Sequence, residues 1–202
     1  MSTLVVVSHS DPDSLTQHFA RAVSDAVDGD VEFADLAAER FDPRFEPADL
    51  ELFRGTGPVP ADVLAEQQRI DRADNLILVF PMYWWSVPGL LKGWIDRVFV
   101  NGWAYDVTPD GGFEKKLGNL TVHLVVLAAD DAASFQRHGV HDAFRTQIER
   151  GVFEYCGATV GSTTFVYESD TKSRDTLEAE IAEVSASLAE RVSGRERVGA
   201  RQ

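Results

Sequence analysis

The chain of 202 residues has one cysteine, Cys156. A lone thiol closes no disulfide within the chain and builds neither an iron–sulfur cluster nor a zinc site, so Cys156 is expected in the core and no metal centre is expected. Long hydrophobic runs are missing too. None approaches the roughly 20 apolar residues that a bilayer span needs, and the first residues lack the basic-then-apolar layout of a secretory signal. A cytoplasmic location with no membrane insertion is the expectation. Positive charge is scarce: Lys and Arg total 19 against 33 Asp and Glu, for a formal net charge of −14. Nucleic acid and anionic membrane surfaces are polyanions that such a chain repels, so neither is expected as a partner. Only four of the cations are lysines, and an anionic cofactor must find a local basic patch. Also absent are an internal repeat and a Gly-x-Gly-x-x-Gly, which removes the Rossmann dinucleotide fingerprint.

What is present reads as one domain over residues 1–202, with 44% hydrophobic residues to fill a core and a frayed tail from about residue 193. Its organising stretch is residues 80–99, FPMYWWSVPGLLKGWIDRVF. The apolar run Leu76, Ile77, Leu78, Val79 before it suits a strand buried on both faces, while Leu90, Leu91, Trp94, Ile95, Val98 and Phe99 fall at helical spacing. Pro88 suits the first turn of that helix, where its missing N–H is needed least. Strand, aromatic turn and helix follow in that order. Loops at the carboxyl ends of parallel strands are where doubly wound sheets bind ligands, and Pro81, Met82, Tyr83, Trp84 and Trp85 fill this one. They suit a flat aromatic ligand or, alternatively, a plug for the core.

The remaining pattern alternates. Residues 4–7 and 31–34 are short strands around a helix whose caps are Asp13 or Ser14, either a phosphate-binding start or a plain capped helix. Residues 41–60, rich in Pro, Gly and acid, form a long irregular excursion, a kind that is functional, buried in a dimer contact, or a linker. A helix over 61–73 leads into the third strand. Residues 120–127 and 159–166 are the fourth and fifth strands. Phe144, Ile148, Val152, Phe153 and Cys156 lie on a helix ending at Gly157, and residues 171–192 form an acidic final helix. Lys115 and Lys116 are a counterweight to the acid or a solvated turn. Five strands alternating with helices make an α/β fold, a doubly wound five-stranded parallel sheet with helices on both faces.

Residues 81–99 resemble the signature of the flavodoxin-like NAD(P)H:quinone oxidoreductases, a family that includes the modulators of drug activity and the potassium-efflux ancillary subunits. The shared pattern is Phe-Pro, two variable residues, Trp, an aromatic, a small residue, Val-Pro, then Leu-Lys-Gly-Trp and an acid before Arg-Val-Phe. The resemblance covers about residues 4–166. It implies a flavodoxin-like strand order, a flavin (FMN or FAD) and NAD(P)H as reductant. His9, Ser14, Leu15 and Thr16 match the loop that holds the flavin phosphate, with Leu and Thr in place of an aromatic and Asn. Gln67 matches a position near the pyrophosphate or adenosine end; its other reading is a solvated helix residue. Pro81, Met82, Tyr83, Trp84 and Trp85 match the ring-holding turn.

At the fourth strand the family has Thr-Thr-Gly-Gly, whereas this chain has Leu127, Ala128, Ala129 and Asp130. Two hydroxyls that would contact the ring are gone and a carboxylate has arrived, unfavourable if buried near a reduced ring. Phe135 stands where some members have a tyrosine that donates a proton to the quinone, and His141 where they have a histidine that does the same. Phe135 cannot, but His141 has both protonation states within reach at neutral pH. A surface or capping role is the alternative for His141, and His138 is its local competitor. The activity implied is two-electron NAD(P)H:quinone reduction in ping-pong order, hydride passing through flavin N5, by a homodimer. Two alternatives are a flavin-binding ancillary subunit of a transport system with little or no turnover, and a relic that binds no flavin.

Overall fold

The computed structural model describes residues 1–108 and 110–194. Pro109 and residues 195–202, and with them most of the tail expected to fray, lie outside the described residues. The β-branched run at the start forms β1 (Ser2–Val7), and the apolar run before the aromatic turn forms β3 (Asn75–Pro81). With β2 (Asp30–Asp35), β6 (Thr121–Leu127) and β7 (Thr159–Val166) they make one parallel sheet in the order β2-β1-β3-β6-β7. β4 (Tyr105–Val107) and β5 (Phe113–Lys115) form a separate antiparallel hairpin, not anticipated above. Leaving that hairpin aside, the strands read 2-1-3-4-5, the flavodoxin-like order with its switch point between β1 and β3.

Strand periodicity divides the core into two layers. Leu4, Val6, Leu76, Leu78, Phe80, Leu124 and Val126 point to one face, where α3 (Ala61–Asp71), α4 (Gly89–Val98) and a π-helix (Arg145–Glu154) bring Ile70, Trp94 and Phe153 against them. Their odd-numbered neighbours Val5, Val7, Ile77, Val79, Val125 and Leu127 meet Phe19 and Val23 of α1 (Leu15–Ala26) and Ile181 and Leu188 of α7 (Arg174–Val192). Cys156 is buried in the first layer, its thiol pushed up to about 11 by desolvation, as suits an unreactive core residue. The helix expected to carry Phe144 through Cys156 is a short α6 (Val140–Phe144) running into the π-helix.

The excursion over residues 41–60 is neither hinge nor unstructured linker. It contains α2 (Pro47–Phe53), and α4 is built to receive it. A Cβ on Gly93 would come within 2.2 Å of the Pro43 carbonyl oxygen. Arg97, 4% exposed, donates to Asp49 at 3.0 Å, to Asp62 at 2.6 Å and to the Asp42 carbonyl at 2.8 Å, with its guanidinium 5.2 Å from the Phe41 ring centroid. Within this set the Arg97–Asp49 pair is buried, and removing Asp49 from it costs about 3–5 kcal/mol. A second network joins β2, α3 and α4: Arg69 reaches Glu32, Glu39 and Glu66, and Glu66 accepts from Trp94 Nε1 at 2.8 Å. Lys115 and Lys116 are exposed, as the solvated reading has them, with Lys115 closing β5. Each donates to a carbonyl at 2.6 Å, Glu154 and Gly102, and so ties the hairpin down.

His123 lies in β6 beside a register shift, 2% exposed. Nδ1 pairs with Ser162 Oγ at 2.8 Å, and among the described residues Nε2 has no partner. Burial, with Arg191 nearby, pushes its pKa from 6.5 down to about 4. The folded state holds the imidazole neutral while the unfolded chain protonates it. Stability is therefore full above about pH 6.5 and falls as the pH drops from there towards 4. Denaturant melts across that window should show a shallower loss for His123→Leu than for the wild type. Equal slopes contradict the assignment.

Candidate functional site

The β3 strand ends in a two-residue turn. Tyr83 and Ser86 exchange backbone hydrogen bonds, both 3.0 Å, and the residues between them sit in left-handed backbone, Trp84 at φ 50° and Trp85 at φ 57°. Bulky residues rarely adopt such angles, at a cost of about 1–3 kcal/mol each. Packing does not compensate at Trp84, whose side chain is wholly exposed. Trp85 stacks on His138, ring centroids 5.2 Å apart. Among the described residues the Trp84 and Trp85 amides have no acceptor. The turn therefore presents indole faces and two free donors, which answers the plug reading for Trp84 and Trp85.

The β6 end lies alongside. The Met82 amide donates to the Leu127 carbonyl at 2.7 Å and the Ala128 amide to Val166 at 2.8 Å, locking three strand ends together. A cavity of about 230 Å³ opens between them, lined by Met82, Trp84, Trp85, Ala128, Ala129, Asp130 and Phe135. Asp130 is exposed and partnered: its carboxylate accepts from Ser134 Oγ at 2.6 Å and from the Asp131 amide at 3.0 Å, which hold it below the usual carboxylate range. The cost foreseen for a buried unpaired acid does not arise. Asp131 caps α5 (Ala132–His138) by accepting from the Ser134 amide.

The β1 end is the third part. His9 Nδ1 lies 3.0 Å from the Asp11 amide nitrogen and 3.3 Å from the Asp11 carbonyl oxygen, which orients the ring and leaves Nε2 directed away from this contact. Ser14 is the cap of α1, accepting from the Gln17 amide at 3.3 Å. Among the described residues the Leu15 and Thr16 amides at this helix start have no acceptor, and the buried Ser8 hydroxyl beside them has no partner. Arg21 donates to the Pro12 carbonyl at 3.0 Å and adds positive charge. Free helix-start donors, an orphaned hydroxyl and a cation suit a phosphate group.

His141 is half-buried among Phe135, Phe165 and Tyr167, its Nε2 hydrogen-bonded to the Tyr167 hydroxyl. Burial raises the Tyr167 pKa, so the phenol keeps its proton, and the hydrogen bond between the two groups fixes the orientation of the imidazole. Tyr167 is the residue that sequence reasoning missed. Its signal was its place immediately after the last strand, at the same sheet edge as the other loops. Gln67 is not at this site: it is 2% exposed, with Nε2 donating to the Val98 carbonyl at 3.0 Å. Val98 ends α4, a helix that runs away from the strand ends where the cavity lies, so Gln67 is a core tie rather than a cofactor contact or a solvated residue.

The model of the flavodoxin-like fold family matches residues 1–192. The chain belongs to this family. Among curated relatives, the ribosyldihydronicotinamide dehydrogenase [quinone] of Rattus norvegicus is 30% identical over 78% of this chain and 77% of its own. The glutathione-regulated potassium-efflux system ancillary protein KefF of an Enterobacter species is 57% identical, but over 44 residues, 22% of this chain and 25% of its own. An NAD(P)H:quinone oxidoreductase from Methanothermobacter marburgensis superposes with a TM-score of 0.81 over 94% of this chain and 97% of its own; at 20% identity this bears on the fold alone.

The strained turn makes its own prediction. Asn tolerates left-handed backbone, so Trp84→Asn should raise folding stability by about 1 kcal/mol, read from denaturant melts. A loss of stability would show that Trp84 is held by packing instead.

Proposed function

We propose that the chain is a flavin-dependent NAD(P)H:quinone oxidoreductase. The observation that carries the reading is the coincidence of two fittings at neighbouring strand ends: unpaired donors at the start of α1 for a phosphate, and an indole-lined cavity with unpaired amides for a flat ring. The residues present fit a flavin. Ser14, Leu15 and Thr16, with His9 Nε2, would hold its phosphate; Met82, Tyr83, Trp84 and Trp85 would hold the ring, with Ala128, Ala129 and Asp130 at its edge. The chemistry a flavin supplies there is acceptance of hydride at N5 from NAD(P)H and two-electron delivery to a quinone that takes the nicotinamide's place, in ping-pong order. His141, oriented by Tyr167, holds the proton that a quinone oxygen takes up. Phe135 and Ala128 close the apolar side of the site and exclude water.

The same reading includes a homodimer. Phe45, Leu50 and Phe53 of the excursion, with Phe99, Val100 and Tyr105, line an apolar groove of about 440 Å³, and Phe53 is 63% exposed. Such a face on a soluble chain suits a second copy. The short, high identity to a potassium-efflux ancillary protein favours the second reading, a flavin-binding subunit without appreciable turnover.

Steady-state reduction of a simple quinone by NADPH separates the two. Turnover of roughly 1–1000 per second supports the enzyme, and bound flavin with no turnover supports the subunit. His141→Ala should slow quinone reduction by about 10²-fold with flavin content unchanged; equal rates would remove His141 from the proton path. Phe53→Glu should sediment as a monomer where the wild type sediments as a dimer, and a monomeric wild type contradicts the assembly.

A further inference from the structure

Of the seven residues lining the indole cavity, Asp130 is the one with an ionisable side chain. Its position is fixed by the Ser134 hydroxyl and the Asp131 amide, and Ser134 is itself 6% exposed. Arg137 and His138 act favourably on the Asp130 carboxylate, but neither pairs with it in a salt bridge. Asp131 is negative as well and engaged as a helix cap, Arg137 is exposed on α5, and the His138 ring lies against Trp85. The cavity therefore combines flat apolar walls with one anchored negative charge.

We propose that Asp130 sets the charge preference of this pocket, which takes planar aromatic cations in preference to planar anions of similar size. The proposal rests on the reading of this cavity as the seat of a flat ring, and it narrows the chemistry of the acceptor that stacks over that ring beside the same rim. A unit charge met at contact distance near a protein surface changes affinity by about three- to tenfold. The net charge of −14 acts in the same direction, but beyond about 8 Å it is screened at physiological salt, so the nearby carboxylate decides.

Methylene blue, a planar cation, and anthraquinone-2-sulfonate, a planar anion, test this by titration against tryptophan fluorescence, before and after saturation with FMN. Asp130→Asn keeps an acceptor for Ser134 and removes the charge. The ratio of anion Kd to cation Kd should exceed one in the wild type and fall about three- to tenfold in the variant. A ratio that moves by less than about twofold, or binding of neither dye, overturns the proposal. Added salt supplies a reading that needs no variant: the wild-type ratio should shrink towards one, and a salt-independent ratio is equally contrary. The two readings fail separately. A shifted dye ratio with no response to FMN removes the flavin reading alone, whereas FMN binding with an unshifted ratio removes only the role of Asp130.

Discussion

The parallel pairing of β1 with β3 is the constraint from which the site follows. Val7 lies opposite Val79, and the Ser8 amide donates to the Val79 carbonyl at 3.1 Å, so both chains leave the sheet at one level. One continues into the cap of α1 and the other into the indole turn. From this pair the connections lead to opposite sides of the sheet, β1 to β2 on one side and β3 to β6 on the other, which leaves a crevice above their ends. β6 extends the same register, Pro81 opposite Leu127, and brings Ala128 to Asp130 to the third side. A helix start with unpaired amides and an indole turn thus become neighbours through strand register, although some 70 residues separate them in sequence.

The acid of the chain has a structural use. Arg97 and Arg69, both within or beside the first core layer, are enclosed by carboxylates: Asp49 and Asp62 around one, Glu32, Glu39 and Glu66 around the other. The Arg97–Asp49 pair is buried and repays little net energy against desolvation, yet losing one partner is costly, so it specifies where the excursion docks more than it stabilises it. Arg21 sits by the α1 start, donating to the Pro12 carbonyl, and the ionisable residue lining the indole cavity is the acid Asp130.

The signature stretch was legible because its apolar residues change period from continuous to helical at a proline, and the five strands of the sheet stood out as short β-branched runs. Gly93 and Arg97 within that stretch turned out to serve the docking of residues 41–60, a contact between distant segments that no local pattern displays. The β4-β5 hairpin escaped notice because three-residue strands, FEK among them, carry no usable alternation. The π-helix was invisible because over one or two turns its side-chain spacing departs little from that of an α-helix. Gln67 was given a cofactor contact by resemblance and a solvated position by its polarity; instead it is buried and donates to the Val98 carbonyl, which the Val100 amide also approaches. His141 was found through resemblance, but its partner Tyr167 required knowing that β6 and β7 end together. Asp130 was anticipated as a liability, and the Ser134 hydroxyl that satisfies it lies one helical turn away, a relation visible only once α5 is placed.

The central claim is that the turn at Trp84 and Trp85 grips a flavin by its flat face. Titration of the purified chain, stripped of any bound cofactor, with FMN and separately with FAD tests it most directly, following tryptophan fluorescence and the melting temperature together. The account predicts saturable quenching and a raised melting temperature with at least one of the two, both effects weakened in Trp85→Ala. Saturating FMN and FAD that leave fluorescence and melting temperature unmoved would contradict it.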